Sequence, residues 1–264
     1  MQTTTTADGI EVEYERRGDG RPLVLLHGGM APREYWDPVV PQFEAFAPVV
    51  PQRPGFGTCL DDPAETGPDE VLAREVDYVR ALVEAVDGDP ILFGHSYGGL
   101  CALEAATDAA VERVVAYEPA VLVGDFRETA DLADRMATRL DAGDRRGAMK
   151  LYVEQVVLAG ETDDVDAFLD QWPVWPDCVD LVEEVLRMNR AVERYELPET
   201  LAVDAPALLL TGTEGPWFLR DSVRAVAEAL PDGRLVDLDG VSHSGPAEAP
   251  GRTAAAIREF LQDE

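Results

Sequence analysis

Two hydrophobic patterns alternate along most of the chain. Short continuous apolar runs predict strands that are buried on both faces, and longer segments with apolar residues every three or four positions predict amphipathic helices. Strands that alternate with helices are typical of an α/β fold built on a parallel sheet with right-handed crossovers. The predicted strands are 10–16, which we place at the sheet edge, 22–26, 48–51, 91–93, 111–117, 207–210 and 234–238.

The helical patterns divide the chain into a core and an insert. Between residues 121 and 203 we find helical periodicity and no convincing strand, at 125–140, 145–158, 165–171 and 177–195. All of the predicted strands lie outside this insert, so we predict a core made of residues 1–120 and 204–264. The core helices are predicted at 35–46, which prolines interrupt, from 68 or 69 to Gly88, and at 100–107, 221–230 and 253–262.

Charge is the unusual feature of the composition. The 264 residues include 52 Asp and Glu against 22 Lys and Arg, a net charge of −30, and Lys150 is the only lysine. The acids are spread along amphipathic segments, which argues against a disordered acidic tail, and they disfavour nucleic acid as a partner. A basic partner would fit, but no localised patch supports one. The composition resembles that of haloarchaeal cytoplasmic proteins. Molar salt shortens the Debye length to roughly 3 Å and so screens the repulsion among the acidic side chains.

Cysteine and histidine are too sparse for several kinds of site. The residues are Cys59, Cys101, Cys178, His27, His95 and His243. Their spacing predicts neither a disulfide framework nor a zinc site, so we expect no metal and no cofactor. The first residues lack a basic and apolar leader, and no run approaches the ~18 apolar residues of a membrane span. We expect a cytoplasmic monomer or homodimer that acts on a small molecule, without a membrane partner.

A Gly-x-Ser-x-Gly turn joins one predicted strand to a helix of small residues. It reads Gly94-His95-Ser96-Tyr97-Gly98, directly after a short apolar run. In a nucleophile elbow of this kind, the serine hydroxyl projects from a strained turn, and glycines prevent clashes between strand and helix. The helix N-terminus also leaves amides free to face an anion. The pattern predicts a nucleophilic Ser96, and the alternative is an ordinary serine in a glycine-rich turn.

A serine nucleophile needs a general base within hydrogen-bond reach. His243 lies in a loop of small residues after the last predicted strand, at the sheet edge where sites of α/β proteins form. We expect His95 to point away from the hydroxyl of the adjacent Ser96, and His27 to have a packing role. The sequence therefore favours His243 as the base.

Four loops, taken in order, resemble those of the α/β-hydrolase superfamily. They are His-Gly-Gly at 27–29, Arg-Pro-Gly-Phe-Gly at 53–57, the elbow at 94–98, and Gly-Val-Ser-His at 240–243. The resemblance implies an α/β-hydrolase fold, with a mostly parallel sheet of about eight strands flanked by helices. It implies that the insert 121–203 is a helical cap between strands six and seven. It also implies an oxyanion hole formed by the backbone amides of Tyr97 and Gly29, with Met30 as the alternative to Gly29.

The acid of a Ser-His-acid triad departs here from the common family pattern. Most members carry Asp after strand seven, where this chain has Gly215; Glu214 comes one residue early, which usually reverses a side chain's direction at a strand end. After strand six, a Tyr-Glu-Pro sequence containing Glu118 resembles an esterase-like subgroup that places its acid there. We favour Glu118 over Glu214 or another acid, and Glu118 also keeps the family order of Ser, acid and His. The structural alternatives are a hinge residue of the cap for Glu118 and a surface acid for Glu214.

Together these features predict a serine hydrolase that cleaves a small or medium apolar ester through an acyl-enzyme. The alternatives are a lyase, a perhydrolase or a carbon–carbon bond hydrolase of the same fold, or a hydrolase-like ligand-binding protein with little turnover. Large apolar side chains in the loops and the insert are candidates for a substrate pocket, or equally for ordinary packing. These candidates are Met30, Trp36, Trp172, Trp175 and Trp217.

Overall fold

The predicted α/β fold with a mostly parallel sheet is confirmed. A computed structural model describes residues 1–53, 67, 70–159, 164–172 and 175–262. The strands are β1 (Gln2–Thr5), β2 (Glu11–Arg16), β3 (Arg21–Leu26), β4 (Phe46–Pro51), β5 (Ile91–His95), β6 (Arg113–Tyr117), β7 (Ala207–Gly212) and β8 (Gly233–Leu238). They form one sheet in the order β1-β2-β4-β3-β5-β6-β7-β8. Strands β3 to β8 are parallel, and β1 and β2 are antiparallel to their neighbours.

The sheet edge differs from the prediction. The strand predicted at the edge, β2, lies second, because β1 pairs with it from Gln2 opposite Tyr14 to Thr5 opposite Glu11. Strand β1 is polar and mostly exposed, so it has no apolar run by which it would be recognised. The placement of 10–16 at the edge was therefore wrong.

The central strands bring the functional loops together. Strand β5 is buried along its whole length, with Phe93 in register between Leu25 of β3 and Val115 of β6. Parallel strands covered by helices on both faces need such continuous apolar sequence. Their carboxyl ends meet at one edge, so Ser96 follows β5 and Glu118 follows β6 in neighbouring positions.

The helices of the core lie close to their predicted positions. Two 3₁₀ turns, Arg33–Trp36 and Val40–Phe43, replace the interrupted helix predicted at 35–46, and Val153–Val157 form a π-helical turn. The helices are α1 (Val71–Ala85), α2 (Tyr97–Ala105), α3 (Gly124–Glu128), α4 (Leu132–Asp141), α5 (Arg145–Tyr152), α6 (Val165–Gln171), α7 (Trp175–Asp180), α8 (Val182–Arg194), α9 (Trp217–Ala229), α10 (Gly245–Glu248) and α11 (Pro250–Gln262).

Helices α3 to α8 lie between β6 and β7, and two of the helices predicted there are divided. The segment 125–140 forms α3 and α4, and the segment 177–195 is interrupted at Leu181 between α7 and α8. Tertiary contact stabilises the first break, because the Ala133 amide in the first turn of α4 donates to Oε1 of Glu193 on α8 at 2.9 Å. Neither break contains proline or glycine, so the local sequence does not predict it.

The hydrophobic core lies on both faces of the sheet. One face packs against α1, α2 and the helices between β6 and β7. On the other face, Trp36 and Phe43 pack with Phe93 and with Ile257 and Phe260 of α11. Trp36 is fully buried there, with its ring 4.9 Å from that of Phe93.

Several features of the sequence fall outside the described residues. They are residues 54–57 of the loop that resembles the family motif, Cys59, the helix start predicted at 68 or 69, and Pro173 and Val174. In the part of the chain that is described, no helix is long and apolar enough to cross a membrane.

Candidate active site

Ser96 occupies a sharp turn between β5 and α2. Its φ of 53° lies in the left-handed region, which residues other than glycine rarely adopt. Hydrogen bonds hold the turn, because the Ser96 amide donates to the Tyr117 carbonyl at 2.9 Å and the Ser96 carbonyl accepts from the Ala120 amide at 3.0 Å. A Cβ atom on Gly94 would overlap the backbone of Gly98, so the close approach of strand and helix requires glycine.

His243 and one of the candidate acids are in direct contact. Nδ1 of His243 lies 2.6 Å from Oε2 of Glu118, and both side chains are buried. The other carboxylate oxygen accepts from the Thr211 hydroxyl at 2.7 Å and from the Gly212 amide at 3.0 Å. Glu118 has a φ of 41°, a second left-handed residue at this edge of the sheet. The contacts orient the imidazole through Nδ1, which leaves Nε2 as its nitrogen for proton exchange.

The carboxylate of Glu118 fills the place that the common acid position would need. A Cβ atom on Gly215 would overlap Oε1 of Glu118. A side chain at position 215 and the Glu118 carboxylate therefore exclude each other. Glu214 has an exposed side chain, and among the described residues its carboxylate forms no hydrogen bond to His243.

His95 supports the loop that carries His243. Its Nε2 lies 2.9 Å from the His243 backbone carbonyl, and Tyr35 stacks on the His95 ring at 5.0 Å with an interplanar angle of 11°. Burial, together with the neighbouring His243, lowers the pKa of His95 well below its ordinary value. His95 is therefore neutral, and its Nε2 proton is available to the carbonyl. The sequence predicts a structural His95 but not this partner.

The loop after β3 presents Gly29 beside the serine. Burial lowers the pKa of His27 well below its ordinary value, and its Nδ1 lies 3.0 Å from the Gly28 carbonyl oxygen. Within the described chain, no backbone carbonyl accepts from the amides of Gly29 or Tyr97. Both residues border the same pocket as Ser96. Two backbone amides without a backbone acceptor in the described chain therefore belong to residues that border this pocket.

Arg53 is buried behind that loop and holds it in place. Its Nη1 donates to the carbonyls of His27 and Gly28 at 2.9 and 3.1 Å. Its Nε and Nη2 form two hydrogen bonds of 3.1 Å with the buried carboxylate of Glu75, and Nη2 also lies 2.9 Å from Sδ of Met188. Sequence reasoning missed this role, because Glu75 and Met188 are 22 and 135 residues away and no local pattern connects them.

A second buried ion pair lies in α8, near Arg53 and Glu75. Nη2 of Arg187 lies 2.5 Å from Oε2 of Glu184, while Oε1 of Glu184 has no hydrogen-bond partner among the described residues. Burial raises the pKa of Glu184 to about 7; Arg187 opposes the rise and Glu75 adds to it. This carboxylate therefore titrates near neutral pH.

Two cavities meet at Ser96. We call them the inner pocket, of about 40 Å³, and the outer cleft, of about 860 Å³. Gly29, Ser96, Tyr152 and Val156 border both cavities, and His243 borders the outer cleft. Concave apolar sites with a few polar groups are typical of small-molecule binding. The inner pocket is lined by Gly29, Ser96, Tyr97, Ala120, Leu122, Phe126, Ala130, Leu132, Tyr152, Gln155, Val156, Met188, Asn189, Val192, Glu193, Phe218 and Leu219.

The five apolar pocket candidates have different locations. Met30 and Trp172 border the outer cleft. Trp36 is packed in the core on the far face of the sheet, and Trp175 is buried, with the Arg146 guanidinium 5.2 Å from its ring. Trp217 is 56% exposed. Trp36, Trp175 and Trp217 border neither cavity, so their assignment to the pocket is corrected.

The alpha/beta hydrolase family model matches residues 23–256, so the chain belongs to that family. The observed sheet and its helices are accordingly the α/β-hydrolase fold, as the loop motifs predict. A solved α/β hydrolase from Sphaerobacter thermophilus superposes with a TM-score of 0.83 at 26% identity, covering 99% of this chain and 100% of that chain.

Two curated relatives are also hydrolases. The chain is 23% identical over 267 residues to (E)-2-((N-methylformamido)methylene)succinate hydrolase of Acinetobacter baylyi, covering 99% of this chain and 98% of that protein. It is 32% identical over 107 residues to a pimeloyl-[acyl-carrier protein] methyl ester esterase of a Shewanella species, covering 40% of this chain and 37% of that protein. Family membership and these relatives support the prediction of a hydrolase.

Proposed function

We propose that this α/β hydrolase is a serine esterase that cleaves small or medium apolar esters through a Ser96, His243 and Glu118 triad. The observation that carries the proposal is the 2.6 Å contact between His243 and Glu118, at the sheet edge where Ser96 borders both cavities. A nucleophile, a base and an acid that orients the base are the three groups that acyl transfer through serine requires.

In the proposed reaction, Ser96, His243 and Glu118 carry out acylation and then deacylation. The Ser96 hydroxyl attacks the ester carbonyl and passes its proton to Nε2 of His243. Glu118 stabilises the imidazolium through Nδ1. The imidazolium then protonates the departing alcohol and leaves an acyl-Ser96 ester. Water, deprotonated by the same histidine, releases the carboxylic acid and restores the serine.

The backbone amides of Tyr97 and Gly29 are proposed to bind the oxyanion of each tetrahedral intermediate. Their lack of backbone acceptors within the described chain supports this role. Preorganised amides at such a position cost no reorganisation during the reaction. The Met30 amide is the less favoured second donor, since the inner pocket is bordered by Gly29 and not by Met30.

We further propose that residues 121–203 form the cap of the enzyme, with the acyl group in the inner pocket and the alcohol in the outer cleft. Side chains of α8 and of the π-helical turn line the inner pocket, which supports this division. The net charge of −30 and the single lysine favour a high-salt cytoplasm as the place where the protein works.

The nucleophile is tested with a Ser96→Ala variant and a chromogenic ester such as 4-nitrophenyl butanoate. We expect turnover to fall by several orders of magnitude while the melting temperature is kept, because alanine removes the hydroxyl alone. A fluorophosphonate probe should label the wild-type protein at Ser96 and leave the variant unlabelled. Full activity in the variant would remove Ser96 from the reaction.

A further inference from the structure

Apart from Ser96 and two tyrosines, three polar side chains interrupt the apolar wall of the inner pocket. Gln155 comes from the π-helical turn, and Asn189 and Glu193 come from α8. The surrounding walls are hydrocarbon, for example Leu122 and Phe218. A carboxylate at the edge of a small apolar pocket is costly to desolvate, which distinguishes Glu193 from the acidic residues of the surface.

Glu193 lies away from the serine end of the pocket. Met188 lies at the serine end of the pocket, next to Gly29. A Cβ atom built on Gly29 would lie 3.2 Å from the methyl carbon of Met188. Glu193 is five residues further along α8, which at about 1.5 Å per residue puts it about 7.5 Å along the helix axis. An acyl chain of about four atoms, extended from the carbonyl, reaches hydrogen-bond distance of that point.

The hydrogen bonds of the cluster leave open acceptors on α8, beside the amide NH₂ of Gln155. Oε1 of Glu193 accepts from the Ala133 amide at 2.9 Å and from Nδ2 of Asn189 at 2.8 Å. Among the described residues, no group donates to Oε2 of Glu193 or to Oδ1 of Asn189. Gln155 is anchored through its carbonyl oxygen, which accepts from Nη1 of Arg135 at 2.9 Å. A negative charge and two open oxygen acceptors favour a donor on the ligand.

We propose that the inner pocket selects a short acyl group that ends in a hydrogen-bond donor, such as a hydroxyl, and rejects an acyl group that ends in a carboxylate. The proposal rests on the proposed esterase function and specifies its substrate class. The hydroxyl donates to Glu193 or Asn189, while a second carboxylate is repelled by Glu193 inside a pocket with little water to screen the charges.

The test uses three methyl esters of nearly equal acyl length. They are methyl 4-hydroxybutanoate, methyl pentanoate and monomethyl succinate, which end in a hydroxyl, a methyl and a carboxylate. Initial rates are followed by pH-stat and corrected for uncatalysed lactonisation of the first. We expect kcat/KM for the hydroxy ester to be about tenfold above that for the pentanoate, and the succinate to be the poorest, since hydrogen bonds to charged groups are among the stronger ones.

A Glu193→Gln variant removes the charge and keeps the shape. We expect it to lower kcat/KM for the hydroxy ester about tenfold, to raise that for monomethyl succinate about tenfold, and to change that for the pentanoate least of the three. The matched control is Glu154→Gln, which removes the same charge from an exposed position beside Gln155 and should change none of the three.

The outcomes separate this proposal from the function on which it rests. Turnover of the pentanoate without discrimination among the three esters, or equal responses of the Glu193 and Glu154 variants, would overturn the acyl selectivity alone. Absence of turnover for all three esters, with Ser96 unlabelled by fluorophosphonate, would overturn the esterase proposal itself.

Discussion

The two sides of Ser96 are held by different physical means. On one side, His243 is oriented by Glu118 and by His95, which lie on core strands or at their ends. On the other side, the loop of Gly29 is held by the guanidinium of Arg53, which also contacts Met188 of α8. We call these the base side and the oxyanion side.

The difference shows which structural elements determine the position of each side. The base side depends on the sheet, whose register fixes the ends of β6 and β7 relative to β5. The oxyanion side depends on a buried cation that joins a loop, α1 and α8. A displacement of α8 would therefore affect the position of Gly29 more directly than that of His243. Three variants test this contrast.

The largest effect is expected on the base side. Glu118→Gln keeps the acceptor for Thr211 and Gly212 but places an amide NH₂ against Nδ1 of His243, which favours the wrong tautomer. We expect kcat for 4-nitrophenyl butanoate to fall about 10³- to 10⁴-fold, as in other triads that lose their acid. Glu214→Gln is the control and should stay within about twofold of wild type. The reverse result would move the acid to Glu214.

On the oxyanion side, the effect should be smaller and confined to kcat. A double variant, Arg53→Met with Glu75→Leu, removes the contacts to the loop carbonyls without leaving one charge buried alone. A displaced oxyanion donor costs about 10²- to 10³-fold in kcat, and KM should change less than about threefold. The exposed pair Arg80 and Asp77, replaced in the same way, is the matched control. A change in KM alone would contradict a role in positioning Gly29.

The smallest change concerns stability and leaves turnover largely unaltered. The folded-state pKa of Glu184, about 7, exceeds its ordinary value of 4.5, so the folded state binds this proton more tightly. The resulting stabilisation is fully present below pH 4.5 and is lost as the pH rises through 7. It amounts to about 3 kcal/mol. Glu184→Gln should lack this pH dependence.

Urea unfolding at pH 5 and pH 8 measures the effect of Glu184. His27 and His95 have lowered pKa values, so their contribution is lost as the pH falls and opposes that of Glu184. The difference between wild type and Glu184→Gln at each pH removes this common background. Equal differences at the two pH values would show that the carboxylate does not titrate in this range.

The base side illustrates what sequence alone can indicate. Ser96, Glu118 and His243 each follow a predicted strand, and the topology of a parallel sheet brings such positions to one edge. The choice of Glu118 over Glu214 used the direction of a side chain at a strand end. The overlap of a Cβ at Gly215 with Glu118 gives the physical reason for the glycine found at the common acid position.

The oxyanion side and the tryptophans illustrate what sequence does not indicate. Arg53 contacts Glu75 and Met188 only in the folded chain, and no periodicity of the sequence predicts a contact across 135 residues. Likewise, the aromatic character of Trp36 and Trp217 does not tell a core residue from an exposed one. Their neighbours in space decide this, and those neighbours come from distant segments.

The left-handed backbone at Ser96 and Glu118 has a consequence for how related sequences diverge. Glycine would relax either position by about 1 kcal/mol, so a lineage selected for folding alone would accumulate glycine at both. Retaining a side chain there opposes that drift and marks a function–stability trade-off. Descendants that lose the chemistry should show it first as glycine at 96 and 118, in a fold that has become more stable.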